Sequence, residues 1–193
     1  MIPVHPYIRC LIFDCDGTLA DTMDLHWEAW QEALTAIGKR CPANILDELK
    51  GTPAEKIIAR LNESYGYDLD IIQFAKEKQR RVQGKLMRAK PIDPVVEIAK
   101  RYRNRFPMAV VSGGTKANVQ LTLEAIGLEN FFDPIITADD PVKPKPSPDI
   151  FLEAARRLNM EPRYCQVFED SDLGIEGARK AGMTVTDVRL FIS

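Results

Sequence analysis

The chain lacks long hydrophobic runs, an excess of charge of either sign, and paired-cysteine spacing. Nowhere do roughly 18 apolar residues follow one another, so a membrane-spanning helix is not expected. Lysine and arginine number 26 against 28 aspartates and glutamates, a net charge of −2. No strong field therefore draws the chain to nucleic acid or to an anionic membrane. The four cysteines, Cys10, Cys15, Cys41 and Cys165, show no CxxC spacing. Cys10 and Cys165 lie in apolar runs and read as buried reduced thiols, not as a disulfide framework. No GxxxxGK[ST] loop occurs, which removes a P-loop nucleotide switch. No internal repeat or low-complexity tract is visible. The first nine residues carry Pro3, His5 and Pro6 and no apolar signal core, so the expected compartment is the cytoplasm.

What is present is ordinary in amount and informative in order. The 193 residues, 45% of them apolar, suffice for one domain carrying a smaller insert. Short apolar runs recur: Ile8 to Phe13, Met108 to Val111, Ile135 to Thr137, Gln166 to Phe168 and Thr184 to Val188. Each is bounded by charge, Gly or Pro, the profile of strands buried on both faces. Helical patterns separate them. Val119 to Ile126 stops at Gly127 and Ile175 to Ala181 stops at Gly182. Ile150 to Leu158 follows Ser147 as expected N-cap, Pro148 as first helical residue and Asp149 at the positive end of the dipole. This alternation predicts an α/β fold: a Rossmann-like, doubly wound parallel sheet of about five strands with helices on both faces.

Residues 23–90 break the alternation. They hold helical patterns over Leu25 to Ile37, Pro53 to Leu61 and Ile71 to Met87, and no strand is expected there. Pro91 and Pro94 mark the return to the sheet. The expected division is an α/β catalytic core of residues 1–22 and 91–193, with an all-helical cap of residues 23–90 inserted after the first strand. Ligands of open α/β sheets bind at the carboxyl ends of the strands, where such a lid can exclude water.

The chemistry-bearing residues cluster at those same ends. Asp14 and Asp16, in Asp14-Cys15-Asp16-Gly17-Thr18, follow the first apolar run. Ser112-Gly113-Gly114-Thr115 follows the second, Lys143 and Lys145 stand in a proline-laden loop, and Glu169-Asp170 follows the fourth. Taken singly, these read as polar turns, a plain βα turn, solvated lysines and helix-capping acids. Taken in order, they supply a nucleophile, carboxylates for a divalent cation, a cation and N–H groups for phosphoryl oxygens, and a proton donor.

These four segments resemble, in order and across nearly the whole chain, the four motifs of the haloacid dehalogenase-like phosphotransferases. The resemblance implies a phosphatase in which Asp14 forms an aspartyl phosphate. Asp16 acts as acid and then base, which would require a raised pKa, while its main-chain carbonyl helps bind Mg2+. Mg2+ would sit among Asp14, Asp16 and Asp170, with Glu169 binding through water or orienting a ligand. Ser112 and Lys145 would hold the phosphoryl group, helped by the amides of Cys15 and Gly113, and Thr18 would support Asp16. Dehalogenases of the family generally lack the second aspartate, so Asp16 favours phosphate chemistry.

The insert is similar to the helical cap of the branch that holds sugar-phosphate phosphatases, phosphoglycolate phosphatases, phosphonatases and β-phosphoglucomutases. Within it, Asp21-Thr22, His26-Trp27 and Trp30 resemble the start of the mutase cap, where the histidine helps hold the acid/base aspartate. The arginine that follows a Lys-Gly turn in mutases has no counterpart after Lys50-Gly51; Lys56 and Arg60 are nearby but shifted. The phosphonatase cap lysine has candidates in Lys39, Lys50 and Lys56, none marked as buried. The segment Ser112 to Phe132 and the ending Asp187-Val188-Arg189 look closer to bacterial hexose-phosphate phosphatases, which suggests a fructose-1-phosphate-like substrate. The alternatives are a β-phosphoglucomutase-type phosphotransferase and a non-catalytic binding module. The expected partner is a small phosphate ester, with no nucleic acid and no membrane, for a monomer or weak dimer.

Overall fold

A computed structural model describes residues 2–42 and 52–192. In chain order it contains β1 (Cys10–Phe13), β2 (Ala20–Asp21), α1 (Met23–Thr35), α2 (Ala54–Tyr65), α3 (Ile71–Gln83) and β3 (Lys90–Pro91). There follow α4 (Asp93–Tyr102), β4 (Met108–Val111), α5 (Lys116–Ala125), β5 (Ile135–Ile136), α6 (Asp149–Arg157), β6 (Cys165–Glu169), α7 (Asp172–Lys180) and β7 (Thr184–Asp187).

Five strands form one parallel sheet in the order β5-β4-β1-β6-β7. β1 is central, with Phe13 opposite Val110 on one side and Phe168 on the other. Because side chains alternate along a strand, the sheet has two apolar faces. Leu11, Phe13, Val110 and Phe168 pack with Val95 and Val96 of α4 and Val119 and Leu123 of α5. Cys10, Ile12, Val111 and Val167 pack with Ile150 and Phe151 of α6 and Ala178 of α7. The sheet is therefore doubly wound, as the apolar runs predict. Burying a side chain such as Phe13 contributes about 1.5–3 kcal/mol, so the strand that carries the site is anchored from both faces.

The insert builds its own small core. Trp30 and Leu34 of α1, Ile58 and Leu61 of α2, and Phe74 of α3 meet there. The chain segments entering and leaving the insert pair with each other: β2 runs antiparallel to β3, with Ala20 opposite Pro91 and Asp21 opposite Lys90. That ribbon is not expected from the sequence, since it holds two residues per strand and a proline. A second cluster, Ala29, Val82 and Leu86 with Leu121 of α5, seats the helical insert against the sheet domain.

Pro94 lies in the first turn of α4, where a missing N–H leaves no bond unmade, and that helix packs on the sheet to which the chain has returned. Two local readings are corrected. Ser147 is not the cap of α6. Pro148 holds that position, and Ser147 only accepts at 3.4 Å from the Asp149 amide. The third pattern of the insert is a helix only to Gln83, after which Leu86–Arg88 tightens into a single 3-10 turn.

Candidate active site

The carboxyl ends of β1, β4 and β6 meet, as they must in a parallel sheet with β1 between the other two. Asp14 leaves β1 buried, its amide donating to the Phe168 carbonyl at 3.0 Å. Glu169, the last residue of β6, is fully buried. Its Oε1 accepts from the Asp170 amide (3.1 Å), the Ser171 amide (3.0 Å) and the Ser171 hydroxyl (2.9 Å). Lys145, from the loop between β5 and α6, inserts its Nζ between two carboxylates. It lies 2.6 Å from Asp14 Oδ1 and 2.7 Å from Glu169 Oε2. Two glycines make the approach possible: a Cβ on Gly17 would overlap the Asp170 carboxylate, and one on Gly174 would overlap Glu169.

Asp14, Glu169 and Asp170 each place a carboxylate oxygen within 4.8 Å of the others'. Burial, then the nearby Glu169 charge, pushes the Asp14 carboxyl well up despite Lys145. Burial and Glu169 likewise push Asp170 up to about 6. Burial alone would lower Lys145, but Asp14 and Glu169 outweigh it and hold the ammonium charged. Three carboxylates thus share one buried ammonium, an anionic excess that a hard divalent cation with oxygen preference fits.

Asp16 points away from that trio, toward α1. Its Oδ1 accepts from the Thr22 hydroxyl at 2.7 Å and lies 3.6 Å from His26 Nε2. The carboxyl does not have the raised pKa that the sequence reading calls for. Burial raises it, but the nearby His26, the Thr22 hydrogen bond and the Lys78 charge together hold it at about 2. Thr18 does not support Asp16 either. Gly17 takes φ +84°, a left-handed turn, and Thr18 beyond it donates to Asp170 Oδ1 at 3.1 Å. Thr22, at the start of α1, holds Asp16 instead.

Behind His26 stands a residue that sequence reasoning missed. Lys78 of α3 is buried, and its Nζ lies 2.8 Å from His26 Nδ1 and over the Trp30 ring. Burial draws its pKa down to about 8, and burial with the Lys78 charge lowers His26. A neutral imidazole that accepts from Lys78 at Nδ1 presents Nε2–H to Asp16. The only hint of this in the sequence is the helical register of α3, which puts Lys78 on the same face as Phe74 and Val82.

Ser112 follows β4 and is buried, its Oγ accepting from the Gly114 amide at 3.0 Å. A Cβ on Gly113 would meet nothing within 4 Å, so that side of the loop is open. The Cys15 thiol packs in the core, leaving only its backbone to face the site. Lys143 is outside the network, and Lys56 and Arg60 are exposed on α2, Arg60 3.6 Å from Glu63. Lys39 sits over the Tyr67 ring. Lys50 and Gly51 lie outside the described residues. Cys10 and Cys165 are fully buried neighbours across β1 and β6, with free thiols. Among the described residues no helix is long and apolar enough to cross a membrane.

The chain is similar to known proteins in sequence and in fold. The family profile for haloacid dehalogenase-like hydrolases matches residues 11–188. A fructose-1-phosphate phosphatase of Escherichia coli, YqaB, is 39% identical over 180 residues, 93% of this chain and 96% of that protein. A phosphorylated carbohydrates phosphatase of Thermotoga maritima is 30% identical, covering 91% of this chain and 82% of its own. Among solved structures, CbbY from Rhodobacter sphaeroides in complex with phosphate superposes with a TM-score of 0.83 at 27% identity, over 92% of this chain and 84% of that one. The β-phosphoglucomutase of Clostridium difficile gives 0.80 at 25%, over 92% and 83%. With the match spanning nearly its whole length, this chain belongs to the haloacid dehalogenase-like hydrolase family.

Proposed function

We propose that the protein is a Mg2+-dependent phosphomonoesterase acting on a small sugar phosphate of the fructose 1-phosphate class, with residues 23–90 as its cap. The observation that carries this reading is the Lys145 ammonium between Asp14 and Glu169, with Asp170 beside them. The E. coli relative named above supports the substrate class.

In this reading Asp14 attacks phosphorus, and the bridging P–O bond breaks as the leaving alkoxide takes a proton from Asp16. Water then attacks the aspartyl phosphate while Asp16 takes its proton, and phosphate leaves. Lys145 keeps Asp14 oriented and offsets phosphoryl charge, and Ser112 with the loop amides that follow it holds phosphoryl oxygens. Mg2+ held by Asp14, Asp170 and the main-chain carbonyl of Asp16 would offset the carboxylate excess and polarise the phosphoryl group. Glu169 positions Lys145 and the start of α7. The contacts from Thr22 and His26 hold Asp16 ionised, the form the second step needs. Substrate binding must loosen them before the first.

The test is a panel of sugar phosphates with Mg2+, scoring free phosphate and isomerised ester separately. Phosphate release from fructose 1-phosphate, abolished in Asp14→Asn, is expected. Isomerisation outrunning release would transfer the protein to the mutases. An Asp14→Asn variant with full activity would remove Asp14 as nucleophile.

A further inference from the structure

We propose that Gly114 is a specificity-determining residue: its missing side chain leaves room beside Asp16 and Ser112 for an ester carbon that carries substituents. The inference rests on the phosphatase reading above.

Gly114 does not belong to the glycines that the backbone demands. Gly17, Gly38, Gly66, Gly127 and Gly182 have positive φ; Gly114 does not. No left-handed turn calls for glycine here, so its reason is sought in the space around it. A Cβ built there would lie 3.3 Å from Ser112 Oγ and 3.7 Å from Asp16 Oδ2, with Val119 Cγ2 at 3.8 Å. The missing methyl is thus bracketed by the hydroxyl assigned to a phosphoryl oxygen and the carboxylate assigned to the bridging oxygen. Atoms that touch both groups at once belong to the ester linkage itself: the bridging oxygen and the carbon that bears it. The backbone here is fixed, since the Gly114 amide donates to Ser112 Oγ and its carbonyl accepts from the Ala138 amide at 2.9 Å. The loop cannot shift freely to make room, so the width of the slot is set by the side chain at this position.

A primary ester presents a CH2 here, and a secondary ester presents a branched carbon. The open slot admits both, and alanine should exclude the branched one. A methyl-sized change in a fitted pocket discriminates by about 10- to 200-fold.

The experiment compares glycerol 1-phosphate with its isomer glycerol 2-phosphate, with Mg2+, in wild type and Gly114→Ala. Wild type is expected to hydrolyse both. In Gly114→Ala the ratio of kcat/KM, secondary over primary, should fall by about tenfold or more. An unchanged ratio overturns the proposal, as does a wild type that hydrolyses only the primary isomer or neither. An equal loss on both isomers also overturns it, since it means that the methyl displaces Ser112 instead of narrowing the slot; Gly114→Ser serves as a second variant for that outcome. p-Nitrophenyl phosphate separates the two readings: a wild type that cleaves it but not glycerol 2-phosphate overturns the role of Gly114 alone, and one inactive on it and on every other ester overturns the phosphatase reading and the role of Gly114 with it.

Discussion

Replacing Lys145 by Met keeps the apolar stem and removes the ammonium, and it tests the electrostatic logic of the site without reference to any substrate. Lys145 is 7% exposed, with carboxylate oxygens at 2.6 and 2.7 Å. At an effective dielectric of about 20, each contact is worth roughly 6 kcal/mol of attraction. Desolvating three buried ions cancels most of that sum, and deleting one partner of such a pair typically costs about 3–5 kcal/mol. Domains of this kind have about 5–15 kcal/mol in total, so the variant should be folded but marginal at pH 8.

The loss should also depend on pH with a definite sign. Burial and Glu169 already raise the Asp14 carboxyl, and Lys145 is what opposes them. Without Lys145 the folded carboxyls bind more protons than the unfolded chain, whose aspartates titrate near pH 3.9. Stability of the variant should therefore rise as the pH falls from 8 toward 5. Millimolar Mg2+ at pH 8 should restore part of it by binding the folded form. Urea unfolding at pH 8 and pH 5, with and without Mg2+, reads all three effects. A loss under about 1 kcal/mol at pH 8, or a variant whose stability does not rise between pH 8 and pH 5, would refute the reasoning.

Thr22→Val removes a hydrogen bond to the Asp16 carboxylate, worth about 1.5 kcal/mol for a charged acceptor. The Asp16 pKa should rise by about one unit. Because Asp16 must carry a proton to act as the acid of the first step, the alkaline limb of the kcat/KM profile should move up with it, and superimposable profiles would dismiss the contact. Gly174→Ala forces a methyl into Glu169 and should cost about 1–3 kcal/mol by thermal melting, with activity lost as Lys145 shifts. A variant with wild-type melting temperature and rate would contradict that packing. Gln79 of α3 donates to the Thr115 hydroxyl at 2.8 Å, tying the insert to the loop after Ser112. Gln79→Ala should raise KM about fivefold, the equivalent of about 1 kcal/mol, with kcat little changed. Steady-state kinetics in which kcat falls and KM holds would contradict this assignment.

The apolar runs by themselves determined the sheet, because a strand buried on both faces must be continuously apolar, and Cys10–Phe13 and Met108–Val111 are. The polar residues that end those runs were legible for the same reason. Asp14, Ser112 and Glu169-Asp170 stand where hydrophobic sequence stops, and parallel topology brings all such ends to one rim. Lys145 was legible only through the order of the family's motifs, since nothing local separates it from Lys143. α4 was hidden by Pro94 in its first turn, although Val95, Val96, Ile98 and Ala99 line one buried face.

Tertiary structure alone decided what holds Asp16. Thr18 and Thr22 are equally plausible partners in the sequence, and the left-handed turn at Gly17 sends one to Asp170 and leaves the other for Asp16. Lys78 sits in a run of charged and amide side chains, Lys76 to Arg81, any of which could have been solvated. Only the packing of α3 on α1 buries that one ammonium beside His26. Local sequence dictates which residues end a strand, whereas the pKa of a carboxyl depends on charges brought close by distant segments of chain.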